Sequence, residues 1–185
     1  MISWKEKEPD FAPVSVQKIL ASVPFPLAFV VLSSTAQSPL VIFPSTVRKR
    51  ILDHLASSQR ELGGLLVGRV AKTPSSRSYV VAVEDSVIAK EFDSSSVSLT
   101  MNSTIWEDAR NQISTDRFVI GWYHSHPNLG AFFSGTDRKT QREFFNREYH
   151  LGLVIDPVRN EERWFYGSES GAVELSNILR PQARA

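Results

Sequence analysis

The chain contains no cysteine. Disulfides, thiolate metal sites and a cysteine nucleophile are therefore excluded, and the composition suits a reducing cytoplasm. Long apolar runs are missing too. The longest, Pro26–Leu32 (PLAFVVL), is far short of the roughly 20 residues that span a bilayer, and it reads as a buried strand. The opening MISWKEKEPDFAP mixes both signs of charge and leads into no apolar core, so it does not read as a secretory signal. Charge of one sign is lacking as well. With 21 basic and 20 acidic residues well mixed, the chain shows no electrostatic footprint for nucleic acid or an anionic membrane. What remains, 42% hydrophobic and 22% charged residues in a chain of 185, describes one soluble globular domain with a substantial core.

Residues 1–37 read as an N-terminal extension, with a short helix around Val14–Ser22. The runs Leu27–Leu32 and Leu40–Phe43 are strand-like by length and β-branched content. Pro44, Ser45 and Thr46 then supply helix-start chemistry, and Val47, Ile51 and Leu55 recur every fourth residue behind it. Glu61–Val70 (ELGGLLVGRV) reads as a strand whose glycines imply close approach of another backbone or a ligand. Thr73–Arg77 reads as a turn and Ser78–Ile88 as a strand; residues 93–103 read as a serine-rich loop with a short strand at Val97–Met101. Ile105, Ala109 and Ile113 mark a second amphipathic helix, with Thr104 and Glu107 as its capping box.

Phe118–Tyr123 is a strongly apolar strand, a polar helix follows Ser134, and Leu151–Ile155 is a buried strand ending at Asp156-Pro157. Arg163–Tyr166 and Ala172–Leu175 suit a closing hairpin, and the last six residues read as a frayed tail. This order predicts an α/β sandwich with helices flanking one mixed sheet.

Only four histidines occur, and two stand together in His124–Asp137 (HSHPNLGAFFSGTD). On a strand, residues two apart project to one face, so both imidazoles can meet one small ion. Zinc commonly takes imidazole nitrogen and carboxylate oxygen in a tetrahedral shell that leaves one vertex to water. Asp137 is the nearest downstream carboxylate, and a loop with Pro127 and Gly130 can fold back to bring it close. Ser134 and Asp137 equally form a helix cap, and Ser58 with Glu61 mimics another. His54, on the charged face of the first helix, and His150, opening a strand, read as ordinary residues.

Taken together, Glu61, His124-Ser-His126, a seven-residue spacer that begins with Pro127, and Ser134-x-x-Asp137 carry a family signature. Gly121-Trp122-Tyr123, the strand Glu61–Gly68 and the strand end Val154–Pro157 carry its context. The chain resembles the JAMM (MPN+) metalloproteases over roughly residues 38–176. These are zinc isopeptidases typified by the proteasome-lid and signalosome deconjugating enzymes. The resemblance implies an MPN (JAB-like) domain, a mixed, mostly antiparallel curved sheet sandwiched by helices, with residues 177–185 as a tail. It implies one catalytic zinc on His124, His126 and Asp137. Glu61 would take the proton of the attacking water, and Ser134 would steady the negatively charged oxygen.

The implied substrate is a ubiquitin-like protein joined through its C-terminal glycine, with conjugation-pathway enzymes as candidate partners. Phe132 and Phe133 stand either as walls of a substrate tunnel or as core aromatics. Trp122 shares the histidine face and reads as packing beneath the site. The loop Gly130–Ser134 replaces the family's usual cysteine-tryptophan pair, and the chain most resembles stand-alone bacterial members, some found in antiphage defence. Two rivals keep the fold: a peptidase acting on a sulfur-carrier protein or small peptide, and a non-catalytic adaptor. A His-x-His amidohydrolase barrel, typically about 250 residues with further histidine ligands, does not fit this chain.

Overall fold

The computed structural model describes residues 13–73, 78–89, 103–112 and 116–182. The expected strand at Val97–Met101, most of the serine-rich loop, Ile113 and the side chain of Thr104 lie outside them.

Two short helices come first, α1 (Val16–Leu20) and α2 (Phe25–Ser33). Then follow β1 (Leu40–Ile42), α3 (Ser45–Leu55), β2 (Gly63–Lys72) and β3 (Tyr79–Ile88). The second half runs α4 (Ser103–Gln112), β4 (Phe118–Ser125), α5 (Gly135–Phe144), β5 (Leu151–Asp156) and β6 (Glu161–Tyr166). It closes with β7 (Gly171–Ala172), a 3₁₀ turn at Leu175–Asn177, and β8 (Ile178–Leu179). The strands form one mixed eight-stranded sheet in the order β7-β6-β5-β4-β2-β3-β1-β8. β4 and β5 run parallel, so their carboxyl ends lie side by side, and β2 runs antiparallel to β4.

Alternation along the strands divides the core. Leu66, Val70, Ile120, Leu151 and Leu153 pack on the face that α3 covers with Val47, Ile51 and Leu55. Leu65, Trp122 and Val154 pack on the opposite face, with Ile105 and Ala109 of α4 and with Phe145. A third cluster seats α1 and α2 on Leu40, Ile42, Val80 and Ala82. The expected sandwich is what the chain builds.

PLAFVVL is the correction: it is helical, not a buried strand. Pro24 is the N-cap of α2 and Pro26 sits in its first turn, where a missing N–H costs nothing. Leu27, Ala28 and Val31 face inward at helical spacing, while Phe25 and Phe29 stay 83% and 66% exposed. A short, wholly apolar run carries no period, so pattern alone could not separate helix from strand. The tail differs as well. Ile178–Leu179 pairs with β1, Arg180 bonds Glu162, and the Pro181 carbonyl accepts from the Ser45 N–H. Among the described residues no helix is long and apolar enough to cross a membrane.

The glycines of β2 mark close backbone approach, as expected. A Cβ on Gly68 would lie 1.8 Å from the Ala82 carbonyl oxygen, beside a register shift that bends the strand. Gly68→Ala should therefore cost about 3 kcal/mol in a urea melt, since backbone rather than a flexible side chain must move. A loss below about 1 kcal/mol would contradict this packing.

Candidate metal centre

β4 delivers His124 and His126 from its carboxyl end, both buried. Ser125 between them points the other way and is fully buried. Its N–H donates to the Leu62 carbonyl at 2.9 Å, and its hydroxyl accepts from the Leu62 N–H at 3.0 Å. This two-way clamp fixes the segment just before β2. Glu61 is thereby held beside the histidines, its Oε1 3.9 Å from His126 Nε2.

Asp137 arrives from the other side. Ser134 is the N-cap of α5; its Oγ accepts from the Asp137 N–H at 3.2 Å, and its own N–H donates to Asp137 Oδ2 at 2.6 Å. That capping box turns the carboxylate toward β4. Asp137 Oδ1 lies 3.2 Å from His124 Nε2, and Oδ2 lies 3.6 Å from His126 Nε2. The two Nε2 atoms are 3.1 Å apart. Cap and ligand are one arrangement here, not alternatives.

These distances test the fit of an ion. Bonds of about 2.0–2.1 Å to a tetrahedral zinc place neighbouring ligand atoms about 3.3–3.4 Å apart. The separation of the two Nε2 atoms, 3.1 Å, and the distances from His124 to Oδ1, 3.2 Å, and from His126 to Oδ2, 3.6 Å, lie close to that edge. His124, His126 and Asp137 are the group among the described residues whose ligand atoms converge closely enough to hold a metal ion. Glu61 stands just outside the triangle, placed to meet whatever occupies its open side.

The electrostatics agree. Burial pushes the Asp137 carboxyl up, but the hydrogen bond and charge of His124, with the bonds from Ser134, outweigh it and hold the pKa at about 2. The group is thus an anion, as a ligand must be. Burial lowers the His126 pKa, helped by the neighbouring His124, which favours the neutral ring. Burial raises the Glu61 pKa; His124 opposes that and the charge of Asp137 adds to it.

The flanking residues sort themselves. Trp122 lies parallel to the His124 ring, as the shared face implied. The loop before Ser134 splits the two phenylalanines. Phe133 is core, stacked on Phe165 at 4.0 Å, whereas Phe132 is 46% exposed with its ring 4.9 Å from that of His126. Only Phe132 can line an approach to the site. His54 is not merely a surface group, because its Nδ1 lies 3.0 Å from the hydroxyl of buried Tyr123. His150 lies apart, its Nδ1 accepting from the Arg147 N–H.

Three residues escaped the sequence reading: Ser125, Gln141 and Asp156. Alternation alone would have sent Ser125 to the opposite face from its neighbours. Gln141 follows Asp137 by one helical turn and shares its face. Fully buried Asp156 accepts from the N–H groups of Asn128, Gly130, Val158 and Arg159 at 2.7–3.1 Å. It thereby stitches the loop after His126 to the end of β5, with Gly130 in the left-handed region at φ 93°.

The sheet order, the flanking helices and the His124, His126 and Asp137 cluster between β4 and α5 are those of an MPN-type, JAB-like domain. Residues 44–166 match the family of prokaryotic homologs of the JAB domain, and the chain belongs to that family. Among curated proteins it is similar to the 26S proteasome non-ATPase regulatory subunit 14 of Dictyostelium discoideum. The two are 31% identical over 117 residues, covering 60% of this chain and 36% of that protein. It is also similar to the ubiquitin carboxyl-terminal hydrolase RPN11 of Saccharomyces cerevisiae. That match is 29% identical over 126 residues, covering 65% of this chain and 39% of that protein. The chain thus spans little more than a third of the length of these relatives. A solution structure of a protein from Desulfitobacterium hafniense shares the fold, with a TM-score of 0.55 and 22% identity over 77% of this chain and 93% of that one.

Two outcomes follow from this geometry. The purified chain should take up one zinc per molecule by elemental analysis, lose it in His126→Ala and keep it in Glu61→Gln. For Asp156, burial opposes ionisation but the four N–H donors win, leaving the pKa at about 2 against an ordinary 3.8. Its stabilising contribution is therefore complete above about pH 4 and is lost as the pH falls toward 2. Asp156→Asn should cost about 2 kcal/mol at neutral pH. Chemical melts should show that gap to wild type shrinking below pH 4.

Proposed function

We propose that the chain is a zinc-dependent isopeptidase or peptidase that cleaves after the C-terminal glycine of a ubiquitin-like modifier. It would remove the modifier from targets or process its precursor. The observation that carries this reading is the convergence of two imidazole nitrogens and the Asp137 carboxylate, with Glu61 3.9 Å from His126. Residues 38–176 would form the catalytic unit. The substrate class draws support from the yeast relative, whose name describes a ubiquitin carboxyl-terminal hydrolase.

His124, His126 and Asp137 would hold the ion. When bound, zinc supplies Lewis acidity, polarising a carbonyl oxygen and letting water ionise near neutral pH. The chain's own residues do the rest. Glu61 is not among the converging ligands and is partly open to solvent, so its carboxylate can take the proton of the attacking water. Hydroxide adds to the acyl carbon, the carbon–nitrogen bond breaks, and the same carboxyl returns the proton to the departing amine. An amine leaves poorly without that proton, which makes Glu61 necessary at both ends of the step.

Ser134 stands at the amino end of α5, where its hydroxyl can turn toward the carbonyl oxygen as negative charge develops there. A well-placed donor of this kind contributes about 3 kcal/mol to the transition state. Phe132 forms an apolar border beside His126, against which an extended glycine tail can lie. The Ser125 clamp and the Asp156 loop keep Glu61 and the approach in place while substrate binds.

A cleavage assay on a modifier fusion tests the reading. Glu61→Gln should lower kcat by about a thousandfold or more with zinc still bound, and Ser134→Ala by about a hundredfold to a thousandfold. Activity that survives both chelation and Glu61→Gln would end it.

A further inference from the structure

A ligating imidazole ordinarily donates from its second ring nitrogen to a carboxylate or carbonyl, and that bond sets its orientation. His124 makes no such bond. Its Nδ1 is buried with no hydrogen-bond partner among the described residues. What it has instead is a neighbouring face. The Trp122 indole, two residues earlier on the same side of β4, lies parallel to the imidazole with centroids 4.5 Å apart and planes 7° apart. Such a stack leaves the ring little freedom to tilt about its side-chain torsion.

A stack only orients one ring if the other is held. Trp122 is fully buried, Phe145 also stacks on it, and its one polar atom is used: Nε1–H donates to Gln141 Oε1 at 2.7 Å. Gln141 is fully buried in turn. Its amide donates to the Phe145 carbonyl at 3.0 Å and the His150 carbonyl at 3.2 Å. With the oxygen and both amide hydrogens committed, the side chain cannot flip without breaking three bonds. Gln141 follows Asp137 by four residues on α5, so one helix face presents both groups to β4. Asp137 meets His124, and Gln141 meets Trp122.

We propose that Gln141 is a positioning residue for the metal centre: by fixing the Trp122 indole it sets the plane of the His124 imidazole. It takes over the task that a second hydrogen bond on the ligating ring usually performs. The proposal rests on reading His124, His126 and Asp137 as the ligands. It predicts that metal affinity depends on a glutamine whose side-chain bonds go to Trp122 and two backbone carbonyls rather than to the three ligand side chains.

Zinc release from loaded protein into a chromophoric chelator reads this without any substrate. Gln141→Met, of similar length but without the acceptor, should speed release about tenfold or more. Trp122→Phe keeps a ring face but lacks the N–H, and it should have a similar effect. The double variant should release zinc no faster than either single one, because both changes break the same link. Gln141→Glu keeps an oxygen toward Nε1 and should restore slow release even where its melting temperature falls. Melting temperature alone would report a merely structural role, and there the losses should differ between variants while release rates stay paired.

Unchanged release in Gln141→Met, additive rates in the double variant, or fast release in Gln141→Glu would overturn the proposal. Should Gln141→Met fail to fold, Trp122→Phe and Gln141→Glu still decide it, since slow release in the first or fast release in the second rejects it. A wild-type chain that binds no zinc would overturn the ligand reading beneath it, and this inference with it.

Discussion

The carboxylate of Asp137 does two things at once, and the site depends on their being compatible. One oxygen accepts from the Ser134 backbone and closes the capping box of α5; both oxygens face the imidazoles at the end of β4. Burying an anion is costly unless hydrogen bonds and opposite or polarisable partners surround it. Here the helix start and the histidines surround it together. The helix cannot begin elsewhere without moving the carboxylate, and the carboxylate cannot leave without uncapping the helix. Local helix chemistry therefore sets where the third side chain of the cluster stands.

Three buried side chains with hydrogen-bonded polar atoms brace the surroundings of that point. Ser125 locks the segment bearing Glu61 to β4 through both of its polar groups. Asp156 gathers four backbone donors from two loops. Gln141 spends its whole amide on the indole and two carbonyls. Each lies behind the residues proposed for chemistry rather than among them. The proposed reaction asks for this, since a general base and a ligand set must hold still to within fractions of an ångström.

How much was legible varied with the kind of signal. Long amphipathic helices and alternating strands stood where their periods put them, because burial on one face enforces the period. The short apolar run Pro26–Leu32 had no period, and Pro24 and Pro26, which suit a helix start, were the neglected clue. Phe132 and Phe133 could not be told apart in sequence, because they lie in a loop with no period and only the fold sends one to the core and the other toward His126. Ser125, Gln141 and Asp156 were hidden because their partners are mainly backbone groups and an indole on other elements, which leave no spacing to read.

The amino-acid sequence by itself determined the side-chain types of the candidate metal cluster, the shared face of His124 and His126, the capping of α5 by Ser134 and Asp137, and the family to which the chain belongs. Those are local facts, governed by strand alternation, helix-start chemistry and motif spacing. Only the tertiary structure decided that Asp137 reaches both imidazoles, that Glu61 stands beside the triangle, and that Trp122 is braced from α5. Each of those needs segments far apart in the chain to meet, and their meeting is set by the antiparallel pairing of β2 with β4 and by the core beneath α5.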